Sequence, residues 1–585
     1  MRMMRLNVAF ATIVSLATTF DVPFDWTSIS PAPDLQFHPC YDTFQCARLT
    51  FPLDWLAANG TDDRTVAIAI IKLPAVVPHD DPSHGGTIFT QPGWPGGSGV
   101  NYLLSRHSRL RDLVDIPDRK HYDLLELTRV ATPHIACFTG LAAHMRAKDA
   151  QTVGTFDLGE TALAVKLAAA KADGEQCARA HGDFLEFVGT ASVARDMLAM
   201  VDKLEELRVI ALHTQHDEDG DGRLELREVR KWQEEKTVLP RLSYIGISYG
   251  TILGNYFASM FPGRVGRMVL DGVCDADEYA REQKFIADGS EFDAIVEWFF
   301  KGCFTAGPLC ALYRNSDTSG TDIQRRVLTW AEELDTTPLI VSTPDGNRVV
   351  LRTDAIRLRF VQSMYMAEYR SQFIAAFLHD AMTLRPAMLA DKYAATLRLG
   401  GDAGPANACS NSTTSSPPLV TLDTQTAIAC SDGDDLTGRD YGFWCAYADS
   451  LNADRRRRHG WHAYPSKWQF KGPFKTPSSS LSRDAPAPPL LFMSTRKDPV
   501  TPLKHARKMA KRHPDAGIVV QESTGHCVSL GPFGPCVKGI VSRYFDTGEV
   551  PSGEVSCEAT GGAWDEAVDG ADVVLSDFGF PLHDL

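Results

Sequence analysis

The sequence predicts an α/β fold, a mostly parallel sheet with helices on both faces and a large helical insertion. Three observations carry this. Short apolar, β-prone runs near 65–72, 86–90, 121–127, 242–247, 266–271, 489–494 and 516–521 alternate with stretches of helical periodicity. A strand, a tight glycine-flanked turn and a helix follow one another between Leu242 and Phe261. Between the fifth and sixth strand runs, residues 276 to 480 are dominated by helical patterns. A chain of 585 residues exceeds a single simple α/β unit, and this insertion accounts for the excess.

Residues 1–17 read as a signal peptide. Arg2 and Arg5 precede an apolar stretch from Val8 to Leu16, and Ser15 and Ala17 stand where a cleavage signal would. The stretch is too short to span a bilayer, and no later run is long enough. The reading is therefore a secreted protein without a membrane span. Asn59-Gly60-Thr61 and Asn411-Ser412-Thr413 are glycosylation acceptors, at Asn59 and Asn411.

The body of the fold is expected over 18–275, resumes over 481–557, and ends in an acidic tail over 558–585. The first catalytic element along it is the strand Gly86–Gln91, which runs into Pro92-Gly93-Trp94-Pro95-Gly96-Gly97-Ser98-Gly99. Backbone N–H groups of such a loop approach a ligand closely and suit an oxyanion hole. A second donor would be the N–H of Tyr249.

Near 205–236 lies an insertion of a different kind. Asp217-Glu218-Asp219-Gly220-Asp221-Gly222-Arg223-Leu224-Glu225-Leu226-Arg227-Glu228 fits an EF-hand loop. Asp217, Asp219 and Asp221 occupy positions 1, 3 and 5, and Gly222 takes the sharp turn at 6. Arg223 offers its carbonyl at 7, Glu225 stands at 9, and Glu228 closes the loop at 12. Predicted helices flank it, Val193 to His213 before and Glu228 to Glu235 after. The expected ligand is one structural calcium ion, since no second loop is present to make a pair.

Gly246-Ile247-Ser248-Tyr249-Gly250 reads as a nucleophile elbow. The glycines give Ser248 room for a strained backbone, and the turn lifts its hydroxyl clear of the sheet. A serine needs a base, and the base needs an orienting acid. Both follow in the required order: Asp498 after the strand Pro488–Met493, and His526 after the strand Gly517–Gln521. Each stands just past a strand, where the active-site loops of α/β sheets cluster.

The insertion at 276–480 is expected to be a lid, with helices over Glu278–Phe300, Thr321–Leu334 and Ala355–Leu384. A net charge of -15 argues against a nucleic-acid partner. Much of that charge is local, since ten Asp or Glu and no Lys or Arg follow Arg543.

Taken together, the loop 91–99, Gly246–Thr251, Phe261-Pro262-Gly263-Arg264-Val265, Val269-Leu270-Asp271-Gly272-Val273, Asp498-Pro499-Val500-Thr501-Pro502 and Gly525-His526-Cys527 resemble the secreted tripeptidyl-aminopeptidase-like branch of the α/β-hydrolases, relatives of proline iminopeptidase. The resemblance runs from about Cys40 to Cys557. It implies the α/β-hydrolase fold, with Ser248 as nucleophile, His526 as general base, Asp498 as orienting acid, and Trp94 and Tyr249 as oxyanion donors. Two departures stand out. Trp94 replaces a small glycine of the family loop, and the usual D-P-R-G segment appears only as Leu127-Thr128-Arg129-Val130.

Thirteen cysteines fit an oxidising compartment. Local spacing suggests Cys40–Cys46, Cys303–Cys310, Cys430–Cys445 and Cys527–Cys536, and the family resemblance adds Cys137–Cys177. The function expected is serine exopeptidase action on a peptide with a free N-terminus, needing no cofactor for catalysis. Asp432 and Asp434 are candidate carboxylates for the substrate amine. A carboxylesterase or lipase-like enzyme could use the same triad. A non-catalytic calcium-binding protein would lack a triad member, and none is missing.

Overall fold

The computed structural model describes residues 24–57, 61–93, 95–132, 135, 137–138, 160–216, 239–282, 291–342, 348–397, 420–452, 468, 470 and 487–565. In chain order the strands are β1 (His38–Cys40), β2 (Phe44–Pro52), β3 (Thr65–Leu73), β4 (His84–Gln91), β5 (His121–Thr132), β6 (Leu242–Ile247), β7 (Val265–Asp271), β8 (Leu339–Ser342), β9 (Arg348–Leu351), β10 (Leu491–Lys497), β11 (Gly517–Thr524) and β12 (Glu554–Glu558). β8 and β9 pair only with each other. The other ten form one sheet in the order β1-β2-β3-β5-β4-β6-β7-β10-β11-β12. β1, β2, β3 and β5 are joined by antiparallel pairings. From β5 through β12 every pairing is parallel. The seven expected strand runs coincide with β3, β4, β5, β6, β7, β10 and β11. β1, β2 and β12 widen the sheet at both edges beyond them.

Alternation along the buried strands divides the core in two. Ile245 and Ile247 of β6, Val269 of β7 and Met493 of β10 face one core, while Tyr244, Leu270 and Phe492 face the other. On the first face lies helix α1 (Gly99–Val114), which starts directly from the glycine loop with the Ser98 hydroxyl accepting from the Asn101 N–H. α2 (Glu160–His181) follows in sequence. α3 (Thr190–His216) and α4 (Gly250–Met260) cover the second face through Met197, Leu253 and Phe257.

Between β7 and β10 the chain is mainly helical: α5 (Ala276–Glu282), α6 (Phe292–Ala306), α7 (Gly320–Glu333), α8 (Thr353–Met364), α9 (Ala367–Thr383), α10 (Pro386–Leu397), α11 (Val420–Asp432) and α12 (Tyr441–Asn452). The stretch expected as one helix over Ala355–Leu384 is two, broken at Met366 (φ -126°, ψ 53°). Phe299, Phe360, Phe377 and neighbours join the core of the first sheet face, so these helices pack onto the sheet through apolar contact. The chain then returns through α13 (Leu503–Ala510) and α14 (Pro535–Thr547) on opposite faces. No helix among the described residues is long and apolar enough to cross a membrane.

Disulfides join Cys40–Cys46, Cys137–Cys177, Cys303–Cys310 and Cys536–Cys557. Two expected pairs do not form. Cys536 bonds Cys557 rather than Cys527, because the first turn of α14 faces β12, while the Cys527 thiol points to the Asp271 carbonyl. Cys430 and Cys445 are not joined to each other. They lie on separate helices that pack into different apolar clusters, Cys430 with Trp468 and Leu185, Cys445 with Trp444 and Leu163.

Candidate active site

At the end of β6 the chain turns through Ser248 with φ 55°, the left-handed region that an L-residue enters only under strain. Its neighbours must be glycine. A Cβ at Gly246 would stand 2.4 Å from the Gly250 carbonyl oxygen, and one at Gly250 would stand 2.6 Å from that of Gln91. The turn is fixed on both sides. Ser248 N–H donates to the Asp271 carbonyl at 2.8 Å, and the Thr251 N–H and hydroxyl donate to the Ser248 carbonyl at 2.8 and 2.6 Å.

Asp498 follows β10 and is fully buried. Its carboxylate accepts from Val500 N–H (2.8 Å), Thr501 N–H (2.8 Å), Thr501 Oγ1 (2.9 Å) and Cys527 N–H (3.1 Å). His526 Nδ1 lies 3.0 Å from both carboxylate oxygens. Burial alone would raise this carboxyl. The His526 ring and the N–H donors of Thr501 and Val500 outweigh it and hold Asp498 below its ordinary value. With Nδ1 directed at Asp498, Nε2 is left to act as acceptor. It is buried and makes no hydrogen bond within the described structure.

The histidine loop is held from three sides. Asp271, at the end of β7, accepts the N–H groups of Val528 and Ser529, each at 2.8 Å. The carbonyl of Tyr365, between α8 and α9, accepts the His526 N–H at 2.8 Å, and the two rings meet edge to face with centroids 5.1 Å apart. Glu368 of α9 accepts the Thr524 N–H at 3.1 Å. None of these supports was read from the sequence. They join residues far apart in the chain, and spacing carries no signal for them.

The glycine loop lies against the elbow. Gly93 (φ 98°) is so close that a Cβ would stand 2.7 Å from Ser248 Cβ and 3.2 Å from Tyr249 N. Its N–H is held by the Gln91 side chain at 2.7 Å. Tyr249 stands at the start of α4. Trp94 lies outside the described residues, as do Asn59, Asn411 and the whole loop Asp217–Glu228 with Asp219, Asp221, Arg223 and Glu225.

α11 forms a wall beside this loop, with Thr424 so near Gly96 that a Cβ there would stand 2.7 Å from Thr424 Cγ2. At its end Asp432 accepts from Thr190 N–H (2.7 Å), Thr190 Oγ1 (2.5 Å) and the Tyr279 hydroxyl (2.6 Å). Thr190 Oγ1 in turn meets the Tyr249 hydroxyl at 2.5 Å. Asp432 thus ties the helical insertion to the residue after Ser248, whereas Asp434 is exposed.

A strained serine at a strand–helix elbow, with a buried Asp–His pair on the loops after β10 and β11, defines a serine hydrolase on the α/β-hydrolase fold. The comparisons narrow this. Residues 458–557, which include Asp498 and His526, match the family described as TAP-like protein. The tripeptidyl aminopeptidase of Streptomyces coelicolor is 23% identical over 531 residues, 88% of this chain and 83% of that one. Serine protease Hip1 of Mycobacterium tuberculosis is 27% identical over 237 residues, 39% of this chain and 36% of that one. Among solved structures, a meta-cleavage product hydrolase from Pseudomonas fluorescens overlaps 80% of this chain and 87% of its own at 11% identity, with a TM-score of 0.25. The chain resembles the tripeptidyl-aminopeptidase-like α/β-hydrolases.

Proposed function

We propose that this enzyme is a secreted serine exopeptidase that releases residues or short peptides from free N-termini through an acyl-enzyme at Ser248. The observation that carries the chemistry is the buried pairing of His526 Nδ1 with both oxygens of Asp498 at 3.0 Å. It fixes the tautomer in which Nε2 takes the Ser248 proton and later gives it to the leaving amine. The Tyr249 N–H and the loop N–H at Trp94 receive the developing oxyanion, each donor being worth about 2.7–4 kcal/mol.

Support for a peptide substrate comes from the similarity to tripeptidyl aminopeptidase over most of the chain. Residues 276–480 act in this reading as a lid that selects substrates. Secretion rests on residues 1–17 and agrees with the four disulfides among the described residues. The loop Asp217–Glu228 holds one structural calcium ion, and Asn59 and Asn411 carry glycans.

Matched peptides with free and blocked N-termini, assayed beside a short acyl ester, test the substrate class. Free-ended peptides should turn over fastest. Equal cleavage of blocked peptides, or turnover of the ester alone, would replace this reading with a carboxylesterase.

A further inference from the structure

The triad acid and base share their surroundings with a third group that the hydrolytic reaction does not use. Cys527 follows His526, is 1% exposed and carries a free thiol. Its Sγ occupies the space left by Gly272, where a Cβ would stand 2.2 Å from it and 3.3 Å from His526 Cε1. A carboxylate oxygen of Asp498, a ring nitrogen of His526 and Cys527 Sγ all lie within 4.8 Å of one another, and all three residues are buried.

Carboxylate, imidazole and thiolate are together a donor set for tetrahedral zinc. Bonds of about 2.0–2.2 Å to oxygen and nitrogen and about 2.3 Å to sulfur place such donors roughly 3.3–3.8 Å apart. The thiol must close in by a fraction of an ångström to roughly one, and the 3.0 Å Asp498–His526 contact must widen by a few tenths. Soft thiolate favours zinc or cadmium over calcium or magnesium, which select oxygen donors.

We propose that Asp498, His526 and Cys527 form an inhibitory site for a thiophilic divalent cation, zinc above all. The effect on activity rests on the triad reading given above, whereas the binding does not. The cation takes Nδ1, Sγ and one Asp498 oxygen. Cys527 gives its thiol proton to solvent. The Nδ1 proton is also lost, and one is taken up at Nε2, so one proton is released per ion bound. The imidazole then presents an N–H where it must present a lone pair, and Ser248 loses its base. Burial, with Asp271 and Asp498 nearby, pushes the Cys527 thiol well up, so at neutral pH it holds its proton until a cation displaces it.

The full chain, stripped with a chelator, is titrated with zinc chloride for activity. In parallel, Ser248→Ala protein is titrated with cadmium chloride for the cadmium–thiolate charge-transfer band, which oxygen-only sites do not give. Zinc should inhibit the wild type. Outer ligand partners alone change metal affinity by about 10–100-fold. Cys527→Ala should therefore need at least about tenfold more zinc for the same fractional loss of its own metal-free rate. Ser248→Ala should show one cadmium band per chain that Cys527→Ala/Ser248→Ala lacks and that Cys274→Ala/Ser248→Ala keeps. Cys527→Ser fills the same space and stands in if the alanine variant does not fold. Equal zinc sensitivity with and without Cys527, or a cadmium band unchanged by its loss, overturns the site. If Ser248→Ala retains turnover, the triad reading fails while the cadmium result still decides the binding.

Discussion

The N–H of His526 donates to the carbonyl oxygen of Tyr365 at 2.8 Å, so the histidine of the proposed triad is braced by the helical insertion as well as by its own loop. The carbonyl is available because the helix breaks at Met366, leaving the end of α8 without its next intrahelical donor. Gly525 (φ 138°) lets the loop come close, since a Cβ there would stand 3.2 Å from the same carbonyl oxygen. Tyr365→Ala keeps that hydrogen bond and deletes the edge-to-face contact, worth about 0.5–1.5 kcal/mol beyond area burial. Its kcat should fall several-fold with little change in KM, and Tyr365→Phe should recover most of the rate. A Tyr365→Ala enzyme with wild-type kcat would show that the ring does not position His526.

Asp498 accepts three backbone N–H groups and one hydroxyl besides the imidazole. An amide in its place turns a donor toward backbone N–H groups that can only donate, or else turns it toward His526 and reverses the tautomer. Asp498→Asn should therefore lower kcat by about 10⁴-fold, the loss that a wrong tautomer causes in such triads. Stopped assays at saturating substrate would measure it. A loss below about tenfold would mean that another group orients the histidine.

The elbow at Ser248 and the pairing of Asp498 with His526, on which the proposed triad rests, were legible because each residue sits in a local pattern, an apolar strand followed by a tight turn. Strands β3 to β7 were legible for the same reason. The pattern failed where the partner is distant. Asp271 pinning Val528 and Ser529, and Asp432 tied to Thr190 and Tyr279, depend on tertiary approach alone. Disulfides divide along the same line. Cys40–Cys46 and Cys303–Cys310 close short local turns, as spacing suggests. Cys430 and Cys445 are close in sequence but face different apolar clusters.

The Cys536–Cys557 bond clips α14 to the edge strand β12 across a separation of 21 residues. A loop of that size stabilises the folded chain by about 3 kcal/mol in the chain-entropy account. Non-reducing peptide maps should join these two cysteines and recover Cys527 as an alkylated thiol. Cys557→Ser should unfold at lower denaturant by an amount matching that energy. A map that joins Cys527 to Cys536 would reverse this assignment.

The loop from Asp217 to Glu228 concentrates six carboxylates in twelve residues. A bound cation would relieve their repulsion, and extracellular calcium modules bind with a Kd of about 10⁻⁴–10⁻³ M. Millimolar calcium should raise the Tm of the wild type, and Glu228→Gln should abolish most of that rise. Calorimetry that shows no calcium binding at millimolar concentration would leave the segment an acidic surface turn.

Acid should weaken the fold through a histidine outside the active site. His513 is buried, with Nε2 3.0 Å from Asn255 Oδ1, and Asn255 Nδ2 donates to the Thr251 carbonyl beside the elbow. Burial, aided by the Arg512 charge, lowers its pKa from 6.5 to about 4. The native state therefore refuses a proton that the unfolded chain accepts. Above pH 6.5 neither state binds it and stability is unaffected. As pH falls from 6.5 towards 4, the unfolded state gains the proton first and stability drops by up to about 3 kcal/mol, levelling once the native histidine also titrates. His505, likewise lowered mainly by burial, adds to the loss in the same direction. His513→Gln keeps a donor for Asn255 but cannot titrate. Its stability, measured by denaturant unfolding across this range, should fall less steeply with acid than that of the wild type. Identical slopes for the two proteins would show that His513 is not a source of the acid sensitivity.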